Sequence, residues 1–479
     1  MPNNLFKVNI LLNSIILTLY KLIMNSKLTH NGYSVPNNSK TLADIKKDLV
    51  VKPFALPDYD FNNKPFPVYR RSEKFIYLPK YYGIEKYGQP KITNEREGHN
   101  ISIEFKGTLR ETQLSISKNV IETLNTKGST VLSIPCGSGK TILGLYIASK
   151  IAKKTLVIVH KEFLLNQWIE RIHQFLPTAR VGRIQQNIID IEDKDIVIAM
   201  LQSITVRKEG YPTETFDSFG ITLIDECHRI CSKTFSKALF QISTSKMLGL
   251  SATPDRKDGL SKVLCWFLGE FTVPNIQKDE LSPEIRTVVA EYINPPTITY
   301  NMLGKVNLPG LVTSISLDPT RNLQIIKEII ESNKQGRYIL VLSERRQQCT
   351  DLLNLLPNNV SGGLYVGGMK SADLDISNTK DVVFATYSMA NEGYDNSRLD
   401  TLIMATGRSD IEQACGRILR KKNLNTPLII DFQDEIEGLC GQAKKRECYY
   451  RKKKYKFLNG KKNNKDKTDD MKTFMFLED

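Results

Sequence analysis

From Leu109 onward, short β-branched runs alternate with stretches of helical period, and this alternation restricts the fold more than any other feature of the sequence. The runs at 130–134, 155–159, 195–199 and 221–224 have the length and branching of strands buried on both faces, and helical patterns fill 142–151 and 163–175 between them. Strands of this kind pair in parallel, because the helices between them serve as crossovers. A second series starts near Arg321 with a helix to 330, then a strand at 338–342, a helix at 349–356, strands at 381–385 and 401–404, a helix at 413–419 and a strand at 428–432. Two α/β domains with parallel sheets therefore follow one another. Prolines at 274, 283, 295, 296, 309 and 319 mark 271–319 as the hinge between them.

The 479-residue chain has room for more than these two domains. Residues 41–105 are irregular, with recurrent Pro and Tyr, and predict a small α+β accessory domain of short strands and turns. The expected division is an N-terminal extension at 1–40, the accessory domain at 41–105, α/β domains at 106–285 and 286–440, and a basic tail at 441–479. Residues 5–24 are rich in Leu and Ile, but Lys7, Asn9, Asn13 and Lys21 interrupt them, which argues against a membrane span. No small-residue cleavage pattern follows, and a start at Met24 would remove the segment entirely.

Lys and Arg number 67 against 52 Asp and Glu, a net charge of +15 that favours a polyanionic partner. Between Lys444 and Lys467 twelve basic residues face two acids, so most of the excess sits in the C-terminal segment. Interleaved rings at Tyr449, Tyr450, Tyr455 and Phe457 suit a clamp on nucleic acid, and a solvated tail or a localisation address is the alternative. Eight cysteines without regular spacing point to a reducing intracellular compartment. The Cys227-His228-x-x-Cys231 cluster lacks the second ligand pair of a structural zinc site.

Chemistry concentrates at two strand ends. In Ile134-Pro135-Cys136-Gly137-Ser138-Gly139-Lys140-Thr141, small residues let backbone N–H groups curl around phosphates. Lys140 can reach the β- and γ-phosphates of ATP, and Thr141 can ligate Mg²⁺. About 85 residues on, the strand 221–224 ends in Asp225-Glu226-Cys227-His228, where an α/β sheet places its ligand chemistry. Asp225 suits Mg²⁺ through its water shell, and Glu226 suits polarisation of the attacking water.

With these residues the chain resembles the superfamily 2 helicases from Leu109 to Arg420, which implies two tandem RecA-like domains. Leu109-Arg110-x-x-Gln113 resembles the segment whose Gln reads adenine. The segment 155–168, and Leu201 with Gln202 and Ser203, are similar to motifs that touch the tracking strand. Ser251-Ala252-Thr253 resembles the motif that couples hydrolysis to domain movement. Ala385-Thr386 and Glu392-Gly393-Tyr394-Asp395 are similar to motif V, which implies a nucleic-acid contact at Thr386 and ribose contacts at Gly393 and Asp395. Gln413-x-x-Gly416-Arg417-x-x-Arg420 resembles motif VI, whose guanidinium reaches the γ-phosphate when the cleft closes; Arg417 and Arg420 are both candidates.

The Asp-Glu-Cys-His box, Pro135-Cys136-Gly137 and Arg256-Lys257-Asp258 look more like XPB-type DNA translocases than DEAD-box RNA helicases. Lys257 departs from the Arg-Glu-Asp element of that group, which weakens a strand-separating wedge role. Gly367-Gly368-Met369-Lys370 and the segment 64–83 resemble poxvirus-type transcript-release helicases and their relatives in large DNA viruses. The resemblance implies ATP and Mg²⁺ as cofactors, duplex or single-stranded DNA as partner, and a viral RNA polymerase nearby. An RNA track is the alternative, and a nucleotide-gated binding scaffold is the rival from another class.

Overall fold

The computed structural model describes residues 26–54, 64–135, 137–206, 211–252, 256, 258–274, 282–302, 304–391, 394, 396–419 and 425–458. Cys136, Thr253, Lys257, Gly393, Asp395 and Arg420, all singled out above, lie outside the described residues. The chain divides into two compact units, 1–277 and 278–479.

The core of the first unit is an eight-stranded sheet. Its order is Ile188–Ile189, Val181–Gln185, Ile196–Met200, Thr155–Val159, Ile221–Asp225, Lys246–Ser251, Ser129–Ser133 and Phe271–Thr272. Only the first pair is antiparallel. All five residues of Thr155–Val159 are buried. Leu156 and Ile158 enter one core while Val157 and Val159 enter the other, so the period of two feeds both faces of the sheet. Three helices, Glu111–Thr126, Lys140–Ile151 and Glu162–Phe175, contribute to the second of these cores.

In the accessory region, five short strands order as Arg70–Arg71, Phe75–Leu78, Gly32–Pro36, Lys27–Thr29 and Ile92–Asn94. With the helices Ser39–Leu49 and Lys80–Tyr87 they enclose Tyr33, Val35, Ile45, Leu49, Ile76 and Leu78. The Asn38 side chain caps the first helix by accepting from Thr41 N at 2.9 Å. Strands 27–36 lie inside the stretch expected to be an extension. At three and five residues they are too short to show a hydrophobic period. This region docks on the large sheet domain through Tyr82, whose ring meets the Trp266 ring edge-on at 5.8 Å. Arg96 continues the join, donating to Asp217 at 2.7 Å and to the Gln241 carbonyl at 2.6 Å.

Unit two is built on a seven-stranded parallel sheet in the order Gly362–Tyr365, Val382–Thr386, Ile339–Ser343, Thr401–Met404, Leu428–Gln433, Glu284–Val289 and Lys456–Phe457. The stretch expected as a hinge is more structured than its prolines suggest. Phe271–Thr272 closes the first sheet, Glu284–Val289 enters the second, and Leu308–Leu317 is a helix capped by Asn307.

The structure also corrects the expected tail. Cys440–Lys452 is a helix and Lys456–Phe457 an edge strand, so the segment is part of the fold as far as residue 458. Arg446, 2% exposed, pairs with buried Asp431 at 2.9 Å, and the Tyr450 hydroxyl donates to the same carboxylate at 3.2 Å. A run of charge hid this inward face, because one buried Arg among exposed lysines leaves no trace in composition.

Candidate nucleotide-binding and hydrolysis site

Three parallel strands of the first unit deliver the site to the carboxyl end of the sheet. Lys246–Ser251 lies between Ser129–Ser133 and Ile221–Asp225, with Ser251 beside Ser133 and Leu250 beside Asp225. The phosphate-loop, acid-box and coupling segments thus emerge as neighbours, as the sheet register requires. Ile134 N donates to Ser251 O at 3.2 Å and fixes the first to the third.

After Ser133 the chain turns through Pro135, Gly137 and Ser138 into the helix Lys140–Ile151. Gly137 and Gly139 have φ of +80° and +86°, a region that L side chains avoid. A Cβ on Gly139 would also stand 2.6 Å from Gln113 Nε2. Gln113 itself is buried; its Nε2 donates to Ser138 O at 3.0 Å and its Oε1 accepts from Arg110 N at 3.0 Å. The residue expected to read adenine therefore braces the phosphate loop. Lys140 and Thr141 open the helix and are partly exposed at its N-terminus, where the dipole favours anions.

At the acid box the strand ends with Asp225, and Glu226 takes the left-handed conformation, φ +45° and ψ +51°. A side chain held there stores strain of the kind that clusters at functional sites. Both oxygens of Asp225 are engaged: Oδ1 accepts from Glu226 N at 3.0 Å and Oδ2 from the Trp168 indole at 2.9 Å. Burial, then the charge of Glu226, pushes the Asp225 carboxyl up to about 6. Glu226 Oε2 is buried and accepts no hydrogen bond. His228 Nδ1 lies 3.1 Å from Ser251 Oγ and 3.4 Å from Glu226 Oε2. Burial, then Arg229 and Arg256, lowers its pKa to about 4.

This donor set fits a hydrated divalent cation carried in with phosphate. Two carboxylates are adjacent here: Asp225 feels the charge of Lys140, and Glu226 has a buried oxygen that accepts no hydrogen bond. Among the described residues no group of three or more His, Cys, Asp and Glu could hold a metal alone, so a cation here would take its other ligands from water and phosphate.

Other expected residues have partners within their own unit. Gln202 Nε2 donates to His160 O at 2.6 Å, and Ser203 Oγ accepts from Gln186 N at 2.8 Å. Both sit on the helix Leu201–Val206, which follows strand Ile196–Met200. Arg256 donates to the His228 carbonyl at 2.5 Å and holds Asp258 through Nε at 2.9 Å, so this pair turns inward on the acid box. In unit two, Thr386 ends its strand with its hydroxyl 3.2 Å from Ser388 Oγ. Gln413 lies on the short helix Glu412–Cys415. Arg417, 4% exposed, donates to the Tyr394 carbonyl at 2.6 Å and so ties the motif VI segment to motif V. The link from Trp168 to Asp225 escaped the sequence reading, although a buried Trp that needs a partner was the signal available.

A strand-borne phosphate loop joined through parallel neighbours to an Asp-Glu-Cys-His box defines a RecA-like nucleotide-hydrolysing domain of the helicase class. The chain belongs to the superfamily 2 helicases, among the helicases of large DNA viruses. Residues 106–256 match the family described as type III restriction enzyme, res subunit. A protein of Acanthamoeba polyphaga mimivirus, named as an ATP-dependent RNA helicase, is 35% identical over 454 residues, 90% of this chain and 86% of its own. A protein of invertebrate iridescent virus 6 named as a helicase is 26% identical over 437 residues, covering 86% of this chain and 95% of its own. An African swine fever virus protein named as an ATP-dependent RNA helicase is 26% identical over 368 residues, 69% of this chain and 70% of its own. No helix among the described residues is long and apolar enough to cross a membrane.

Proposed function

We propose that this chain is an ATP-driven motor that moves along nucleic acid, with duplex DNA as its track. The observation that carries the reading is the joined set of Lys140, Asp225, Glu226, His228 and Ser251 at the carboxyl end of the sheet, which is machinery for hydrolysis as well as binding. Lys140 and the loop N–H groups hold the β- and γ-phosphates, and Glu226 Oε2 accepts the proton of the attacking water. Thr141, and Asp225 through water, would hold Mg²⁺, which would supply positive charge to neutralise the phosphate oxygens. His228 passes the state of the acid box to Ser251, and Thr253 extends that coupling. In unit two, Arg417 and Arg420 are both candidates for the guanidinium that meets the γ-phosphate, with Gln413 in the same motif; Gly393 and Asp395 are the candidates for the ribose. Gln202, Ser203 and Thr386 touch the track.

DNA is supported by the Asp-Glu-Cys-His box and by Arg256 and Asp258, which resemble the XPB-like translocases. The likeness of 64–83 and 367–370 to transcript-release helicases supports a setting in viral transcription, beside a viral RNA polymerase. An RNA track is the second reading, favoured by the names of the mimivirus and African swine fever virus relatives. The test is ATP-dependent displacement of a triplex-forming strand from duplex DNA, run beside unwinding of an RNA duplex with a single-stranded tail. Displacement from DNA alone supports the first reading, and unwinding of RNA alone replaces it with the second.

A further inference from the structure

Trp168 lies on Glu162–Phe175 and is 1% exposed, and it makes a contact that packing alone would not produce. An indole has one polar atom, and that atom can only donate. Here Nε1 meets Asp225 Oδ2 at 2.9 Å, while Oδ1 is taken by Glu226 N at 3.0 Å. The two donors fix the plane of a buried carboxylate that would otherwise rotate about its last torsion. The ring itself is confined: a Cβ on Gly144, in the phosphate-loop helix, would meet Trp168 Cη2 at 3.4 Å and Leu250 Cδ1 at 3.2 Å. The absence of a side chain at Gly144 thus makes room for the ring that holds the acid.

We propose that Trp168 is a positioning residue, whose indole N–H holds Asp225 in the orientation that receives a hydrated Mg²⁺ and so sets the metal-dependent part of nucleotide affinity. The inference rests on the reading of Asp225 given above. Such outer partners of a metal-holding carboxylate fix its direction, and their loss typically weakens metal binding about tenfold or more.

Trp168→Phe keeps a ring in the cavity and removes the donor. Binding of a fluorescent, non-hydrolysable ATP analogue is measured with Mg²⁺ and with EDTA, for wild type, Trp168→Phe and Trp266→Phe. The expected result is about a tenfold loss of Mg²⁺-dependent affinity in Trp168→Phe only, with EDTA affinity within about twofold of wild type. Equal losses with and without Mg²⁺ would reduce Trp168 to a packing residue, and an unchanged Mg²⁺ response would overturn the inference alone. A wild-type protein whose affinity ignores Mg²⁺ would overturn the metal assignment as well. The chain has two tryptophans, so Trp266→Phe leaves Trp168 as sole indole, and its emission provides a test that needs no variant at 168. A change on adding Mg²⁺ to the nucleotide-bound protein supports the link, and constant emission contradicts it.

Discussion

His228 Nδ1 and Ser251 Oγ stand 3.1 Å apart, joining the residue that ends the acid box to the last residue of the neighbouring parallel strand. Both are buried or nearly so, and a hydrogen bond between neutral partners suits the site better than a charge, since the imidazole already has Arg229 and Arg256 nearby.

That environment predicts a pH dependence. The folded-state pKa of about 4 lies below the ordinary imidazole value of 6.5, so the unfolded chain binds the proton more readily. Stability from this residue is complete above about pH 6.5 and is lost as pH falls from 6.5 through 4, to a limit of roughly 3 kcal/mol. Asp225 has the opposite sign, because its raised carboxyl takes up a proton in the folded state first, but it is common to both proteins compared. Urea unfolding of the first unit, followed by its tryptophans, is expected to weaken less between pH 7 and 4.5 in His228→Asn than in wild type. Parallel pH curves would contradict the neutral, buried state of His228.

The C-terminal helix yields a second prediction. Ending the chain after Gly441 removes Arg446, Tyr450 and the edge strand, and leaves Asp431 buried without its cation. Loss of one partner of a buried pair costs about 3–5 kcal/mol, so unit two should unfold or aggregate, seen as a lowered melting temperature. Truncation is therefore the wrong probe of nucleic-acid binding by this segment. Lys444, Lys445 and Lys452 are exposed on the helix, and their triple replacement by Gln leaves the fold intact. If they contact phosphates, the slope of log affinity against log salt on duplex DNA falls by up to about 3. An unchanged slope assigns them to solvent.

Much of the fold was legible in the sequence because long-range pairing left local marks. Thr155–Val159, buried on both faces, reads as a continuous apolar run, and the helix Glu162–Phe175 reads as a 3.6-residue period. The paired series also announced two parallel sheets. What escaped notice depends on contacts that no period records. Lys27–Thr29 and Gly32–Pro36 are held by tertiary pairing, and Arg446 is drawn inward by one distant acid. In the site, Gly137, Gly139, Lys140, Asp225 and Glu226 were readable from type and spacing, because phosphate chemistry requires them together. The bracing of Gln113 on Ser138 and the inward turn of Arg256 toward His228 were not, since side-chain partners are set by the packed geometry.

Glu226, in the left-handed conformation at the strand end with a buried oxygen that accepts no hydrogen bond, is the proposed base of a nucleic-acid-stimulated ATPase. The most direct measurement is ATP hydrolysis by wild type and by Glu226→Gln, each without nucleic acid, with duplex DNA, with single-stranded DNA and with RNA. Stimulation of the wild type by nucleic acid, with at least about a 100-fold loss in Glu226→Gln while nucleotide still binds, is the expected result. A wild type that binds nucleotide yet hydrolyses none under every condition would contradict the claim and leave a nucleotide-gated binding protein in its place.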